Sequence, residues 1–531
     1  MSRLELAAAA LLDEPTAAHD PCSHLANAQR LVEHYGDQLL YVEGIGWHVY
    51  GPPWRHDELA VQRLAQGLGR IIANEAAGMA PWVAEAPDKA TREQRQKDMD
   101  RRFRWAGQSE SLPTIEYSLA MARPLLAVQA ADMDAGHDLL GLPSGVLDLQ
   151  TMRHRRYHTK DRITKVAGCD FDLSATSPTW ERIIDEAMGA DPELVDYLQR
   201  LAGYMLSGRR GEHILPVAWG TGANSKSTIL GALQAVMGEY ASSAAPGLLI
   251  QRHSNEHPTA LADLQGRRLI VVSETGETGR LNEEQVKLLT GGDRITARRM
   301  RQDFFTFEPT HLLALQTNHR PRVSGTDEGI WRRLRLIPFA VTVPPELRDP
   351  ALPEKLRAEL PGILNWCLEG WRRYREQGFN EPAAVRVATT EYRTASDQVG
   401  LFLADCCVLD DTVTTTAADL YRLYSQWAQD AGERPRSQRD FGMRLSERGF
   451  ERVRTGAGIR WRGLRISVGS EPCVPDLPIT PREKVFREGH TQNSSQGSLH
   501  TSKDDEKSDG GHKVDDAEID HLMSLVGGMD Q

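Results

Sequence analysis

The stretch VAWGTGANSKSTILGAL, Val217 to Leu233, constrains this chain more than any other. The apolar run HILPVAW leads into a glycine-rich turn, Gly220 to Ser225, and KSTILGALQAVMG then reads as a helix. A strand feeding such a turn at the mouth of a helix makes a phosphate cradle. Turn N–H groups and the unsatisfied amides of the first helical turn converge on anionic oxygens. The phosphate-loop pattern asks for glycine where Ser225 stands. If the backbone is left-handed there, a side chain costs roughly 1–2 kcal/mol, which weakens binding without removing its charges. The turn Gly220, Thr221, Gly222, Ala223, Asn224 and Ser225 is therefore expected to hold ATP. Lys226 supplies a point charge to the β and γ phosphates, and Ser227 supplies a hydroxyl to Mg²⁺.

The strands downstream of the loop fit a nucleotide-driven machine. GRRLIVVSETGE gives a second apolar strand ending in Ser273-Glu274. A carboxylate at that strand end is where a hydrolase positions water and metal, so Glu274 is the expected catalytic acid and second Mg²⁺ ligand, with Glu277 an alternative. THLLALQTNHRP is a third apolar strand. It ends in Asn318, whose amide would sense the γ-phosphate or hold the attacking water. GIWRRLRLIPF places Arg332 and Arg333 before another strand, and one of the two would reach a neighbouring subunit's ATP.

Between these strands, Lys287, Arg294, Arg298, Arg299 and Arg301 precede Phe304 and Phe305. Gly291-Gly292 favours a turn and FFTF a strand, so a hairpin carrying cations and aromatics is expected. Cations neutralise phosphates and an aromatic ring stacks on a base, the combination that grips a single strand. The net charge of −11 does not argue against this, because residues 501–531 alone contribute nine acids and three lysines.

Elsewhere the chain reads as several units. LLYVEGIGWHVYGPPWRHDE suggests a small sheet turning at Gly51-Pro52-Pro53, and Leu139 to Cys169 reads as short strands with a basic turn. Two amphipathic helices come next, before residue 208. Residues 398–467 read as three helices and a hairpin, a winged-helix pattern. The polar tail from 468 is expected to be disordered. The six cysteines lack any C-x-x-C pair, so a zinc ribbon is not supported and a reducing cytoplasm is the expected compartment. No apolar run approaches the ~18 residues of a membrane span, and the N-terminus lacks a signal-peptide pattern.

In order along the chain, GTGANSKST, LIVVSE, KLLTGGDRITAR, QTNHRP and WRRLRLIPF resemble superfamily 3 helicases, specifically the primase–helicase family of phages, plasmids and large DNA viruses. SGVLDLQT and YLQRLAGYMLSG upstream, and DLYRLYSQWAQ and WRGLRI downstream, extend the resemblance over residues 25–467. It implies an α/β fold with an AAA+-like P-loop ATPase core that assembles into a ring, usually a hexamer, moving on single-stranded and forked DNA. It also adds Thr228 to the phosphate loop. The expected organisation is a tail (1–24), an α+β helicase-associated domain (25–205), the ATPase core (206–345), a helical linker (346–397), a winged helix (398–467) and an acidic tail (468–531). Helicase without primer synthesis is expected, because the region before the core is shorter than the primase domain of longer relatives, and a separate primase is a candidate partner. The expected activity is helicase; the alternative is an ATP-switched origin-binding initiator or loader that does not unwind.

Overall fold

The computed structural model describes residues 20–251, 259–274, 279–300, 304–323, 328–456 and 458–467. All of them fall in one compact unit. The expected tails, 1–24 for the most part and 468–531, lie outside the described residues.

The chain begins with α1 (His24–Tyr35), whose N-terminus is capped by Ser23 accepting the Ala26 amide at 3.1 Å. Next come β1 (Leu39–Val42), β2 (Gly46–Tyr50) and β3 (Trp54–His56), the small sheet expected around the Gly-Pro-Pro turn. Helices α2 (Glu58–Gln66), α3 (Leu68–Gly78), α4 (Ala80–Ala84), α5 (Lys89–Gln108) and α6 (Leu112–Ala122) come after it, and β4 (Ala127–Val128) joins β1 in parallel to give the order β3-β2-β1-β4. Leu31, Leu39, Trp47, Leu68, Ile72 and Leu119 are at the centre of this unit's core, which ends at Leu126.

A second sheet holds β5 (Leu139–Leu142), β6 (Gly145–Asp148) and β7 (Arg153–Arg155), all antiparallel with β7 at one edge. Helices α7 (Pro178–Ala187) and α8 (Pro192–Leu206) complete the segment. The expected domain boundary at 205 does not divide the cores. Leu140, Trp180, Leu198 and Leu201 share one apolar cluster with Leu230, Leu312 and Trp371. The reason is a glycine contact: a Cβ on Gly203 would stand 2.0 Å from the Trp371 amide, and one on Gly370 1.9 Å from the Gln199 carbonyl. Only glycine at both places lets those two backbones meet.

The central sheet is built from β8 (Leu215–Trp219), β9 (Ala241–Ser243), β10 (Leu269–Glu274), β13 (Leu312–Thr317) and β14 (Leu334–Pro338). All pairs are parallel, in the order β14-β8-β13-β10-β9. Runs such as LIVV and LLAL suit strands covered on both faces. Connecting elements are α9 (Lys226–Met237), α10 (Thr259–Ala262), α11 (Glu283–Thr290), the antiparallel hairpin β11 (Ile295–Arg298) and β12 (Phe304–Phe307), and α12 (Glu328–Trp331).

Helices α13 (Leu352–Ala358), α14 (Leu360–Gln377) and α15 (Ala383–Ser396) occupy the expected linker but belong to the core. Gly370 on α14 makes the contact with α8, and Thr389 on α15 accepts the Leu336 amide of edge strand β14 at 3.0 Å. A final module contains α16 (Gln398–Cys406), β15 (Cys407–Thr416), α17 (Ala417–Asp430), α18 (Gln438–Glu447), β16 (Glu451–Thr455) and β17 (Gly458–Ile466). Its sheet order is β15-β17-β16, and Phe402, Tyr424, Phe441 and Trp461 are buried beneath it. The three helices and hairpin are there, with β15 as an additional strand. Its register shifts between Asp410 and Thr414, which blurs the alternation that marks a strand in sequence.

A candidate nucleotide site and nucleic-acid hairpin

Strand β8 delivers the chain to Gly220, where a Cβ would lie 2.2 Å from both Asn224 Nδ2 and the Phe339 carbonyl. No other residue fits there. Beyond it, Gly222, Ala223 and Ser225 take positive φ of 110°, 48° and 62°. Ser225 is therefore left-handed, the condition under which its side chain carries a cost. Asn224 is buried, and its amide donates to the Phe339 carbonyl at 2.9 Å. Its Oδ1 accepts from Lys226 Nζ at 2.7 Å, and the Gly220 carbonyl accepts from the same ammonium at 2.7 Å. Lys226 is 3% exposed, and desolvation lowers its pKa below the ordinary lysine value. The loop thus folds around a caged cation at the N-terminus of α9. Thr221 and Ser227 are exposed, and Thr228 is half-buried.

Three parallel strand ends stand side by side next to this loop. Thr317 of β13 is in register with Trp219 of β8 on one side and with Glu274 of β10 on the other. The backbone of Glu274 thus closes a strand two places from the loop's own strand; residues 275–278, with Glu277, lie outside the described residues. Asn318 is exposed immediately past β13. Gln316, one residue before the end of β13, donates its side-chain amide to Ser227 Oγ, a contact that the sequence pattern does not announce. Its only signal was a polar residue inside LLALQT. Arg320 escapes the sequence pattern as well: its guanidinium lies 4.1 Å from the Trp219 ring centroid and 6.0 Å from that of Tyr392.

The two candidate finger arginines part company. Arg333 is 6% exposed, and its Nε donates to Thr290 Oγ1 at 3.1 Å while Nη1 donates to the Gly329 carbonyl. Those bonds hold it inside its own subunit. Arg332 is exposed.

The hairpin brings most of its predicted residues together. Arg298 pairs with Phe304 across the strands, and its guanidinium lies 5.0 Å from a ring that is 60% exposed. Arg299 sits over Phe305 at 5.3 Å and donates to Gln265. Arg294 is exposed but paired with Glu308 at 3.0 Å, which lessens its value as a free cation. Lys287 stands apart from the hairpin, half-buried on α11, and Arg301 lies outside the described residues. Strand β13 joins the two regions. The hairpin enters it at Leu312, and Gln316 and Asn318 lie at its far end, roughly 17 Å away at ~3.3 Å per residue.

Residues 28–189 match the family model described as D5 N terminal like, and residues 218–333 match a family of unknown function, DUF5906. The helicase-named protein L207/L206 of Acanthamoeba polyphaga mimivirus is 27% identical over 320 residues, covering 56% of this chain and 33% of that protein. The helicase-named 184R of Invertebrate iridescent virus 6 is 26% identical, covering 43% and 25%. The primase-named C962R of African swine fever virus (strain Badajoz 1971 Vero-adapted) is 28% identical, covering 38% and 22%. The chain thus spans a third or less of the length of these relatives. Among solved structures, the apo C-terminal region of NrS-1 overlies 84% of this chain and 99% of its own at TM-score 0.48 and 9% identity. No described helix is long and apolar enough to cross a membrane.

Proposed function

The chain belongs to the primase–helicase family of phages and large DNA viruses, and we propose that it is an ATP-dependent DNA helicase of superfamily 3 type, working as a ring, usually a hexamer, in replication. The observation that carries this reading is the placement of Lys226 and Ser227 beside the ends of β10 and β13, with β13 leading back to the hairpin. In this reading the central sheet with its loop is an AAA+-like P-loop core, and residues 398–467 form a winged helix.

The residues fit a nucleoside triphosphate with Mg²⁺. Positive φ at Gly222, Ala223 and Ser225 suits a tight turn whose amides can bind an anion, and the start of α9 adds further donors. Lys226, desolvated and held by two neutral acceptors, has its charge available to the β and γ phosphates. Ser227 and Glu274 would hold Mg²⁺, which neutralises phosphate charge during transfer. Glu274 orients the attacking water, Asn318 reads the terminal phosphate, and Arg332 reaches across to the next subunit's site. Phe304 and Arg298 grip the strand by stacking and phosphate neutralisation.

The test is displacement of a labelled strand from forked DNA with ATP. Unwinding that requires hydrolysable nucleotide supports the helicase. Duplex binding with hydrolysis but no displacement would replace it with the initiator or loader.

A further inference from the structure

We propose that the basic segment from Arg153 to Lys160, at the free edge of the β5–β6–β7 sheet, is a second contact for the phosphate backbone of DNA, apart from the β11–β12 hairpin. This rests on the helicase reading above.

Between Arg153 and Lys165 the chain carries six Lys/Arg and a single acid, Asp161, although the whole chain is at −11. That acid is already committed: it takes both arms of Arg155 at 2.8 Å and the His158 amide at 2.9 Å. Arg162 pairs with Asp132 at 3.1 Å, and Lys165 with Asp134 at 3.5 Å. Arg153, Arg156 and Lys160 are left exposed, with no ion pair among the described residues. Asp148, opposite Arg153 in the strand register, accepts from the amides of Gln150 and Thr151 instead.

Two observations separate this strip from an ordinary solvated face. Edge strands carry cations to discourage strand pairing, but Arg156 and Lys160 lie beyond β7, where that role does not apply. The loop bearing them is also anchored, because the Tyr157 hydroxyl donates to the Leu142 carbonyl at 2.7 Å. The cations are thus presented on a fixed scaffold.

Position supplies the rest. Arg268, just before β10, donates to the Leu139 carbonyl at the start of β5 at 2.7 Å, and the Tyr240 hydroxyl accepts the Gly141 amide at 3.0 Å. The β5–β7 sheet is therefore fastened at the N-terminal ends of the central strands. The hairpin enters β13 at that same end, where Thr310 Oγ1 donates to the Arg267 carbonyl at 2.7 Å. The phosphate loop is at the opposite end. A strand leaving the hairpin on this side meets a phosphate-binding surface already in place.

The experiment is fluorescence anisotropy of labelled single-stranded and forked DNA over a salt series, using the full chain and an R153Q/R156Q/K160Q variant. Three lost contacts at ~0.7 each predict that the slope of log affinity against log salt becomes shallower by about 2, at an unchanged melting temperature. If the triple variant melts lower, the three single variants replace it, each expected to lose about 0.7 of slope. Loss on both DNAs assigns the strip to the single strand, and loss on the fork alone assigns it to the duplex arm; both support it. Wild-type binding with an unchanged slope in the variants overturns the inference. So does a variant whose only defect disappears when residues 501–531 are removed, since the occupant would then be the acidic tail. If the wild-type chain binds neither DNA, it is the helicase reading that fails.

Discussion

Gln316, on the strand that follows the hairpin, donates its side-chain amide to Ser227 Oγ in the first turn of the helix just past the Gly220–Ser225 turn. Replacing it with alanine frees that hydroxyl and removes the side-chain contact between this strand and the first turn of α9. Gln316→Ala should therefore cut the stimulation of ATP hydrolysis by DNA severalfold while changing the KM for ATP less. A KM that rises by the same factor as the stimulation falls would reduce Gln316 to a phosphate-loop prop.

Ser225 holds φ 62° and ψ 1°, a conformation glycine adopts freely. Ser225→Gly removes roughly 1–2 kcal/mol of backbone cost, and part of that gain is offset by the freer unfolded chain. Urea unfolding should therefore show the variant more stable by up to about 1 kcal/mol with nucleotide affinity little changed, because the folded chain carries the cost whether or not nucleotide is bound. Weaker binding would mean that the serine side chain itself contributes to the site.

Arg332 and Arg333 should fail differently. Arg333→Ala removes a buried guanidinium together with its bonds to Thr290 Oγ1 and the Gly329 carbonyl, at a cost of about 1–3 kcal/mol seen as a lower melting temperature. Arg332→Ala should melt normally yet hydrolyse little ATP. Mixed with Lys226→Ala subunits it should regain activity, because each protomer then supplies what its neighbour lacks. No recovery on mixing would place Arg332 outside the neighbour's site.

His311 gives the fold an acid-sensitive point. It is 3% exposed beside Arg210, and burial first, then that charge, pushes its pKa down from 6.5 to about 3. The folded state thus holds the neutral ring. Its contribution is fully present above pH 6.5 and is lost as pH falls toward 3, at up to about 1.4 kcal/mol per pH unit. His311→Leu should flatten that part of the stability–pH curve, measured by urea unfolding between pH 7 and 4.5. An unchanged slope would show that other groups carry it.

The strand, glycine-rich turn and helix from Leu215 to Met237 were legible because an apolar run, clustered glycines and a helix-forming run follow one another in the sequence, and the hairpin because paired glycines precede FFTF. The three apolar strands were legible because a strand covered on both faces needs an unbroken apolar run. Two adjacent arginines carry no such pattern; only the fold sends Arg333 inward and leaves Arg332 outside. The shared core behind residue 205 was hidden because it depends on Gly203 and Gly370 meeting across more than 160 residues of sequence. Strand β15 was hidden by its own irregular register.

The most direct test of the account is steady-state ATP hydrolysis by the purified chain, with and without single-stranded DNA, beside Lys226→Ala. The account predicts turnover that rises on adding DNA and disappears in the variant, whose caged ammonium is gone. Hydrolysis that persists in Lys226→Ala, or a wild-type chain that neither binds nor turns over ATP, would contradict it.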